Sequence, residues 1–286
     1  MIPETIKIDV QRALAEDIGS GDVSALLISE SLIVSAEVVS REPMLVCGIP
    51  WFNATMSQVH PDLAISWHVH EGQWLDAPAT LCHIRGNARA LLTAERTALN
   101  YLQTLSATAT QTHHYLQALQ GLPTRLLDTR KTIPGLRLAQ KYAVACAGGV
   151  NHRLGLYDAF LIKENHIAAC GSIRQSIDTA RRIKPEIFVE VEVETLDELR
   201  QALDAKPDRI LLDNFNLENL RTAVLMNSPK VCDLEASGGV DLSTIRAIAE
   251  TGVDFISVGS ITKSIHAIDL SLRIGSIPPG SYVKLD

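Results

Sequence analysis

Residues 187–214 read IFVEVEVETLDELRQALDAKPDRILLDN. The apolar run IFVEVEV is short and rich in branched side chains, as expected of a strand covered on both faces. Thr195 followed three residues later by Glu198 is a capping box, and Leu199 and Leu203 continue one helical face. RILLD is a second buried strand, ending in Asp213. Strand, helix and strand within about thirty residues is the βαβ unit of a parallel sheet with right-handed crossovers.

The same pattern extends in both directions. TRLLD and DAFLI precede this unit, and VCDLE and DFISV follow it, with helical patterns starting near Asn216 and near Asp241 and a stop at Gly252. The first hundred residues read differently. An amphipathic helix carrying Ile6, Val10 and Leu14 is followed by the grouped strands LIVSAEVVS, MLVCGI, AISWHVH and ATLCHI, then by a long helix from about Leu91 to Thr108. Grouped strands flanked by helices are α+β in character. The expected fold is therefore α/β, with an α+β domain at residues 1–108 and an α/β domain at 109–274. The tail 275–286 is a candidate addition to the first domain.

No G-x-G-x-x-G follows an early strand, which argues against a dinucleotide-binding sheet. Instead, each expected parallel strand delivers a polar or glycine residue at its C-terminal end. Arg130 and Lys131 follow TRLLD, and Lys163 follows DAFLI. Glu190 and Glu192 lie in EVEVE, and Asp213 ends RILLD. Glu235, Ser237, Gly238 and Gly239 follow VCDL, and Gly259 and Ser260 follow DFISV. Active sites of α/β barrels gather at that end. One such placement means little, but six in succession favour a barrel mouth.

The residue types narrow the chemistry. Arg130, Arg153 and Lys163, with His152 beside them, suit carboxylates, because guanidinium forks match them bidentately. Glu190 and Glu192 share one strand face. Glu192 and Asp213 could hold Mg²⁺ or sugar hydroxyls, an internal ion-pair network being the alternative. The glycine-rich ends ASGG and VGSIT suit phosphate, since amides free of side chains form anion cradles. No G-x-S-x-G or H-E-x-x-H is present, so binding, orientation and charge stabilisation carry the reaction in this reading. An imine-forming role for Lys163 is an alternative, and an anion-sensing role without turnover is another.

The composition agrees. The 286 residues are 46% hydrophobic with a net charge of −7, which speaks against general nucleic-acid binding. Yet Arg125, Arg130, Lys131, Arg137, Lys141, Arg153 and Lys163 crowd one segment against only Asp128 and Asp158, an expected focus for small anions. The N-terminus lacks the features of a secretory signal, and no apolar run is long enough for a bilayer, so a cytoplasmic protein without membrane contact is expected. Five scattered cysteines (Cys47, Cys82, Cys146, Cys170 and Cys232) form no C-x-x-C pair. Reduced and mostly buried thiols are the expectation.

These residues also carry a resemblance. DTRKTIPGLR (128–137), KYAVACAGGVNHRLGLYDAFLIKENH (141–166), LLDN, EASGG and GVDFISVGS resemble the quinolinate phosphoribosyltransferases; EDIGSGDVS and ERTALNYLQTLSATAT (95–110) extend the similarity into the first half. The resemblance implies an N-terminal α/β sandwich, an incomplete (open) α/β barrel, and a homodimer with shared sites, or a higher oligomer built from it. It implies phosphoribosyl transfer from 5-phosphoribosyl 1-diphosphate to quinolinate with decarboxylation, in NAD biosynthesis, with Mg²⁺ and no organic cofactor. Carried onto this chain, Arg130, His152, Arg153 and Lys163 bind the quinolinate carboxylates, joined by Arg96 of the partner subunit. Lys131 faces the phosphoribosyl donor, and Glu192 and Asp213 hold ribose hydroxyls and magnesium. Ser237, Gly238, Gly239, Gly259 and Ser260 cradle the 5-phosphate. The chain departs from the family's usual pattern at Ala107, Ala147 and Glu164, and at Lys263, where a histidine often approaches the phosphate.

Overall fold

The structure is a computed structural model that describes residues 4–275. The chain divides into two compact units. Among the described residues, one comprises those up to Gln111, Pro134–Ala147 and Ile265–Gly275; the other comprises Thr112–Ile133 and Gly148–Ser264. This differs from the expected boundaries, because a segment from the middle of the chain, Pro134–Ala147, belongs to the first unit. The tail proposed as an addition to that unit lies outside the described residues, apart from Gly275.

The first unit contains, in chain order, α1 (Ile6–Ile18), β1 (Ile33–Ser40), β2 (Met44–Leu45), α2 (Ile49–Val59), β3 (Ala64–Trp67), β4 (Trp74–Leu75), β5 (Ala79–Asn87) and the first part of α3 (Ala88–Ala118). To these it adds α4 (Arg137–Cys146) and β12 (Leu270–Ile274). An antiparallel sheet has the order β12-β1-β5-β3, and β2 pairs with β4. Along β1 the side chains alternate, so Val34, Ala36 and Val38 are buried. They join Phe52 and Met56 of α2 and Leu91, Ala94, Ala98 and Leu102 of α3 in one core. A second cluster gathers Val10 and Leu14 of α1, Trp51, Tyr101, Leu105 and Ala139 and Ala143 of α4. The sequence reading placed a strand over MLVCGI. Only its first two residues are strand, because Gly48 turns the chain in the left-handed region and Pro50 starts α2. The long helix outruns its expected end by ten residues.

The second unit holds the rest of α3 and the parallel strands β6 (Arg125–Leu127), β7 (Ala159–Ile162), β8 (Phe188–Val193), β9 (Arg209–Asp213), β10 (Asp233–Ser237) and β11 (Phe255–Ser257). The intervening helices are α5 (Glu164–Cys170), α6 (Ile173–Ile183), α7 (Leu196–Ala205), α8 (Leu217–Met226), α9 (Ile245–Ala249) and α10 (Ser260–Lys263). The capping signals act as read: Thr195 accepts from the Glu198 backbone N–H at the start of α7, and Asn216 from that of Asn219 at the start of α8. The sheet order is β6-β11-β10-β9-β8-β7. Each strand from β7 to β10 pairs with its successor, and β11 pairs with β6. The ring is therefore an α/β barrel open between β6 and β7, as expected, with Val150 bridging the β6 edge at Leu127. Within the described residues, no helix is long and apolar enough to cross a membrane.

Candidate active site

The C-terminal ends of the barrel strands enclose a cavity of about 450 Å³. Arg130 and Lys131 enter it after β6, Lys163 after β7, Glu192 from β8, Asp213 from β9 and Ser237 from β10, with His152 and Arg153 from the segment before β7. Residues up to 107 positions apart in the chain thus share one space. The first unit has a cavity of similar size, about 460 Å³, but there Asp9, Glu16 and Asp17 outnumber Arg12. Its sign is wrong for anions, and no sequence-predicted site residue lines it.

Buried carboxylates hold the cationic wall in place. Asp128 is fully buried; its Oδ1 accepts from the His152 backbone N–H at 2.8 Å and its Oδ2 from Asn151 Nδ2 at 2.7 Å. Asp158 accepts from the backbone of Leu154 and Gly155 at 2.6 and 3.0 Å, closing the loop before β7. Lys163 Nζ donates to Glu192 Oε2 at 2.5 Å. Burial, then the neighbouring Arg130 guanidinium, lowers the pKa of Arg153. Arg130 Nε is buried with no hydrogen-bond partner. Two guanidiniums lining one cavity could receive a dianion bidentately.

Below the mouth lies a network that joins His152, which the sequence reading placed among the carboxylate ligands, to Glu190, Glu235 and Arg209, to which it gave no binding role. Glu190 and Glu192 share a strand face as expected, but Glu190 is fully buried while Glu192 reaches the cavity. His152 Nε2 is 3.0 Å from Glu190 and 3.6 Å from Glu235. His152 Nδ1 accepts from the Arg153 backbone N–H at 2.7 Å, so the ring proton sits on Nε2. Both ring nitrogens are engaged by the protein, and an anion reaching His152 must compete with Glu190. Arg209 Nη1 donates to Glu235 at 3.0 Å, and its guanidinium lies 4.0 Å from the centroid of the Phe255 ring. Burial, then the Glu190 charge, pushes the Glu235 carboxyl up to about 8. Burial likewise raises Glu190, against the pull of Arg209. Arg209 offsets part of the cost of burying these carboxylates.

Of the residues read as a phosphate cradle, only Ser237 lines the cavity itself. Gly238 and Gly239 have φ of +100° and +61°. A Cβ on Gly238 would lie 2.1 Å from Asn214 Oδ1, so glycine is required here on both counts. At Gly259 a Cβ would meet the Lys131 side chain at 3.0 Å. Ser260 Oγ is 3.1 Å from the Tyr115 hydroxyl, and Thr262 donates to the Lys131 carbonyl at 2.7 Å. Lys263 is exposed and outside the cavity lining.

Of the seven crowded cations, Arg130, Lys131, Arg153 and Lys163 line the cavity. Arg125 instead sits at the opposite end of β6 by the Phe255 ring, and Arg137 and Lys141 belong to α4 of the first unit. Arg96 is exposed on α3 in the first unit and does not line the cavity. The sequence reading missed Asp128, Asn151 and Asn214 as site supports. The adjacency of Asp128 to the cations and of Asn214 to Asp213 was the available signal.

An open barrel with a cationic, glycine-edged mouth and internal carboxylates defines an enzyme of anionic small molecules in which no protein nucleophile is evident. Residues 108–273 match the model of the quinolinate phosphoribosyl transferase C-terminal domain, and residues 22–106 that of the N-terminal domain. The chain belongs to the quinolinate phosphoribosyltransferase family. It is 39% identical over 272 residues to the nicotinate-nucleotide pyrophosphorylase [carboxylating] of Mycobacterium leprae, covering 93% of this chain and 95% of that one. A chloroplastic protein of the same name from Arabidopsis thaliana is 37% identical over 289 residues, with 94% and 82% covered. The solved nicotinate-nucleotide pyrophosphorylase of Francisella tularensis superposes with a TM-score of 0.93 at 47% identity, covering 96% of this chain and 98% of that one.

Proposed function

We propose that this chain transfers the 5-phosphoribosyl group of 5-phosphoribosyl 1-diphosphate to the ring nitrogen of quinolinate and releases carbon dioxide, giving nicotinate mononucleotide for NAD biosynthesis. The observation that carries the proposal is the convergence of Arg130, Arg153 and Lys163 with Glu192 and Asp213 on one cavity. Family membership supports the same reading. Incubating the pure protein with quinolinate, the sugar diphosphate and Mg²⁺ should yield nicotinate mononucleotide and carbon dioxide in equal amounts; absence of both ends the proposal.

Each group has work that its position suits. Arg130 and Arg153 take the two adjacent carboxylates, fixing the ring so that its nitrogen faces the ribose. As the lone pair of that nitrogen closes on ribose C1, the bond to diphosphate breaks and the leaving group departs with the electron pair. Lys131, at the mouth beside Gly259, stabilises that departing charge. The resulting pyridinium accepts the electron pair released when the neighbouring carboxylate leaves as carbon dioxide, and a proton takes its place. Ser237 and the turns at Gly238–Gly239 and Gly259–Ser260 hold the 5-phosphate.

Glu192 and Asp213 offer the hard oxygen donors that magnesium prefers, on adjacent strand ends. Glu192 already pairs with Lys163, so Asp213 fits as the direct ligand and Glu192 as a shared one. Bound with the diphosphate, the ion would neutralise charge on the leaving group. The Lys163–Glu192 ion pair also disfavours the imine-forming alternative, which needs an uncharged amine.

Arg96 belongs to the proposal as a contribution from the partner subunit of a homodimer. Its 59% side-chain exposure leaves its guanidinium accessible to a second chain. The cytoplasmic location expected from the sequence also stays with this proposal, and fractionation of cells expressing the tagged protein tests it.

A further inference from the structure

The sequence gives no reason to pair any two cysteines, yet Cys47 and Cys146, far apart in the chain, meet inside the first unit. Their sulfurs and a carboxylate oxygen of Glu71 all lie within 4.8 Å of one another. Cys146 Sγ donates to Glu71 Oε2 at 3.5 Å.

The surroundings hold this pair in register. Cys47 is fully buried, and both its backbone groups are tied to the Ser106 hydroxyl, at 3.0 and 2.9 Å. Cys146 ends α4 and is half-buried, so one of the two sulfurs is within reach of solvent. Gly72 has φ of +78°, and a Cβ there would approach the Cys146 carbonyl and sulfur at 3.4 and 3.7 Å. Opposite, Glu71 Oε1 accepts from the Gly48 and Ile49 backbone N–H groups at 2.8 and 2.6 Å. Burial, then the Glu71 charge, raises the Tyr142 hydroxyl well above its ordinary range.

Three soft and hard donors so close could hold a metal ion, but Glu71 is already committed. Its Oε1 serves the start of α2, and its Oε2 accepts from Cys146. Turning it onto a cation would strip the first turn of that helix. The two sulfurs have no such commitment.

We propose that Cys47 and Cys146 form a reversible disulfide site, with hydrogen peroxide or a related hydroperoxide as oxidant and Glu71 as the proton acceptor. Glu71 takes the Cys146 proton, and the sulfur attacks the peroxide. The O–O bond breaks to leave a sulfenic acid and a hydroxide, which becomes water on regaining that proton. The Cys47 sulfur then attacks the sulfenyl sulfur. The S–O bond breaks, and the hydroxyl departs as water with the Cys47 proton. Two thiols lose two electrons and two protons, and the peroxide yields two waters. The order follows from access: Cys146 meets the oxidant first, because Cys47 is buried and its thiol is held well above the ordinary range, first by burial. The bond would fasten the end of α4, seven residues before Arg153, to the turn that starts α2.

The test uses the folded full-length protein carrying Cys170→Ser, which removes an exposed thiol outside the site. It is treated with a small excess of hydrogen peroxide, denatured, alkylated and analysed by peptide mass spectrometry. The expected result is a titre falling from four thiols to two, one peptide joining Cys47 to Cys146, and full recovery of four thiols with dithiothreitol. Cys146 accumulating as sulfinic acid while Cys47 stays alkylatable would overturn the proposal. So would an unchanged titre of four, or stoichiometric Zn²⁺ that protects both thiols from oxidation and alkylation in the untreated protein.

Discussion

Lys163 Nζ lies 2.5 Å from Glu192 Oε2, joining the C-terminal ends of the adjacent strands β7 and β8 at the barrel mouth. A cation already neutralised by its neighbour can turn to an incoming carboxylate without leaving a charge bare. Lys163→Met should therefore affect two things at once. Activity should fall by more than about tenfold, since charge-assisted contacts contribute roughly 1.5–3 kcal/mol. Glu192, left unpaired at the mouth, should also bind Mg²⁺ more tightly in the free enzyme. Steady-state kinetics and a magnesium titration monitored by thermal melting check both; unchanged kinetics would remove Lys163 from the site.

Arg130 and Arg153 line the same cavity, and Arg130 Nε is buried and unpartnered. A planar dicarboxylate should relieve the repulsion between them. Quinolinate alone should raise the melting temperature of the wild type by mass action. Arg130→Ala should abolish that rise and increase KM for quinolinate between about ten- and a hundredfold. A normal KM in this variant would refute the assigned role.

Gly238 combines a φ of +100° with an Asn214 oxygen where a Cβ would stand. Gly238→Ala should distort the turn beside Ser237, raising KM for the sugar diphosphate more than that for quinolinate. The pairing of β10 with β9 should keep the barrel folded, which circular dichroism can check. Equal effects on both substrates would argue against a phosphate cradle here.

The Glu235 carboxyl titrates near 8 in the folded protein, against an ordinary value of 4.5, chiefly because of burial. Between those values the folded protein keeps a proton that the unfolded chain has released. The associated stability is complete below about 4.5 and is lost as pH rises through about 8. Melting temperature should fall from about pH 5 to about pH 9, and Glu235→Gln should flatten that slope. An equally steep slope in the variant would show that other groups set it.

Arg96→Ala and Lys163→Ala proteins should each be inactive alone and regain part of the activity when mixed and allowed to exchange subunits. Random mixing should restore about a quarter of the wild-type sites in dimers built this way. No recovery, with exchange verified by mass, would confine each site to one chain.

How much was legible in the sequence differs between the two units. The parallel strands and their polar ends could be read because burial on both faces forces apolar runs, and those runs must stop where the chain meets the mouth. Thr195 and Asn216 act as caps because their side chains answer backbone N–H groups only three residues away. The helices α2 and α4 went unread. Gly48 and Pro50 mark the start of one, where the sequence reads as the end of a strand, and the other carries Lys141 on a buried face, against its usual preference.

By itself the sequence determined the α/β class, the barrel with its functional end, and most of the residues at the mouth. Local pattern and strand direction suffice for those. Tertiary structure alone decided that Arg137 and Lys141 leave the cationic group, that Glu190 and Glu235 sink beneath the mouth against His152 and Arg209, and that Cys47 meets Cys146. Such contacts join distant parts of the chain, where only closure of the fold sets which charges and sulfurs become neighbours.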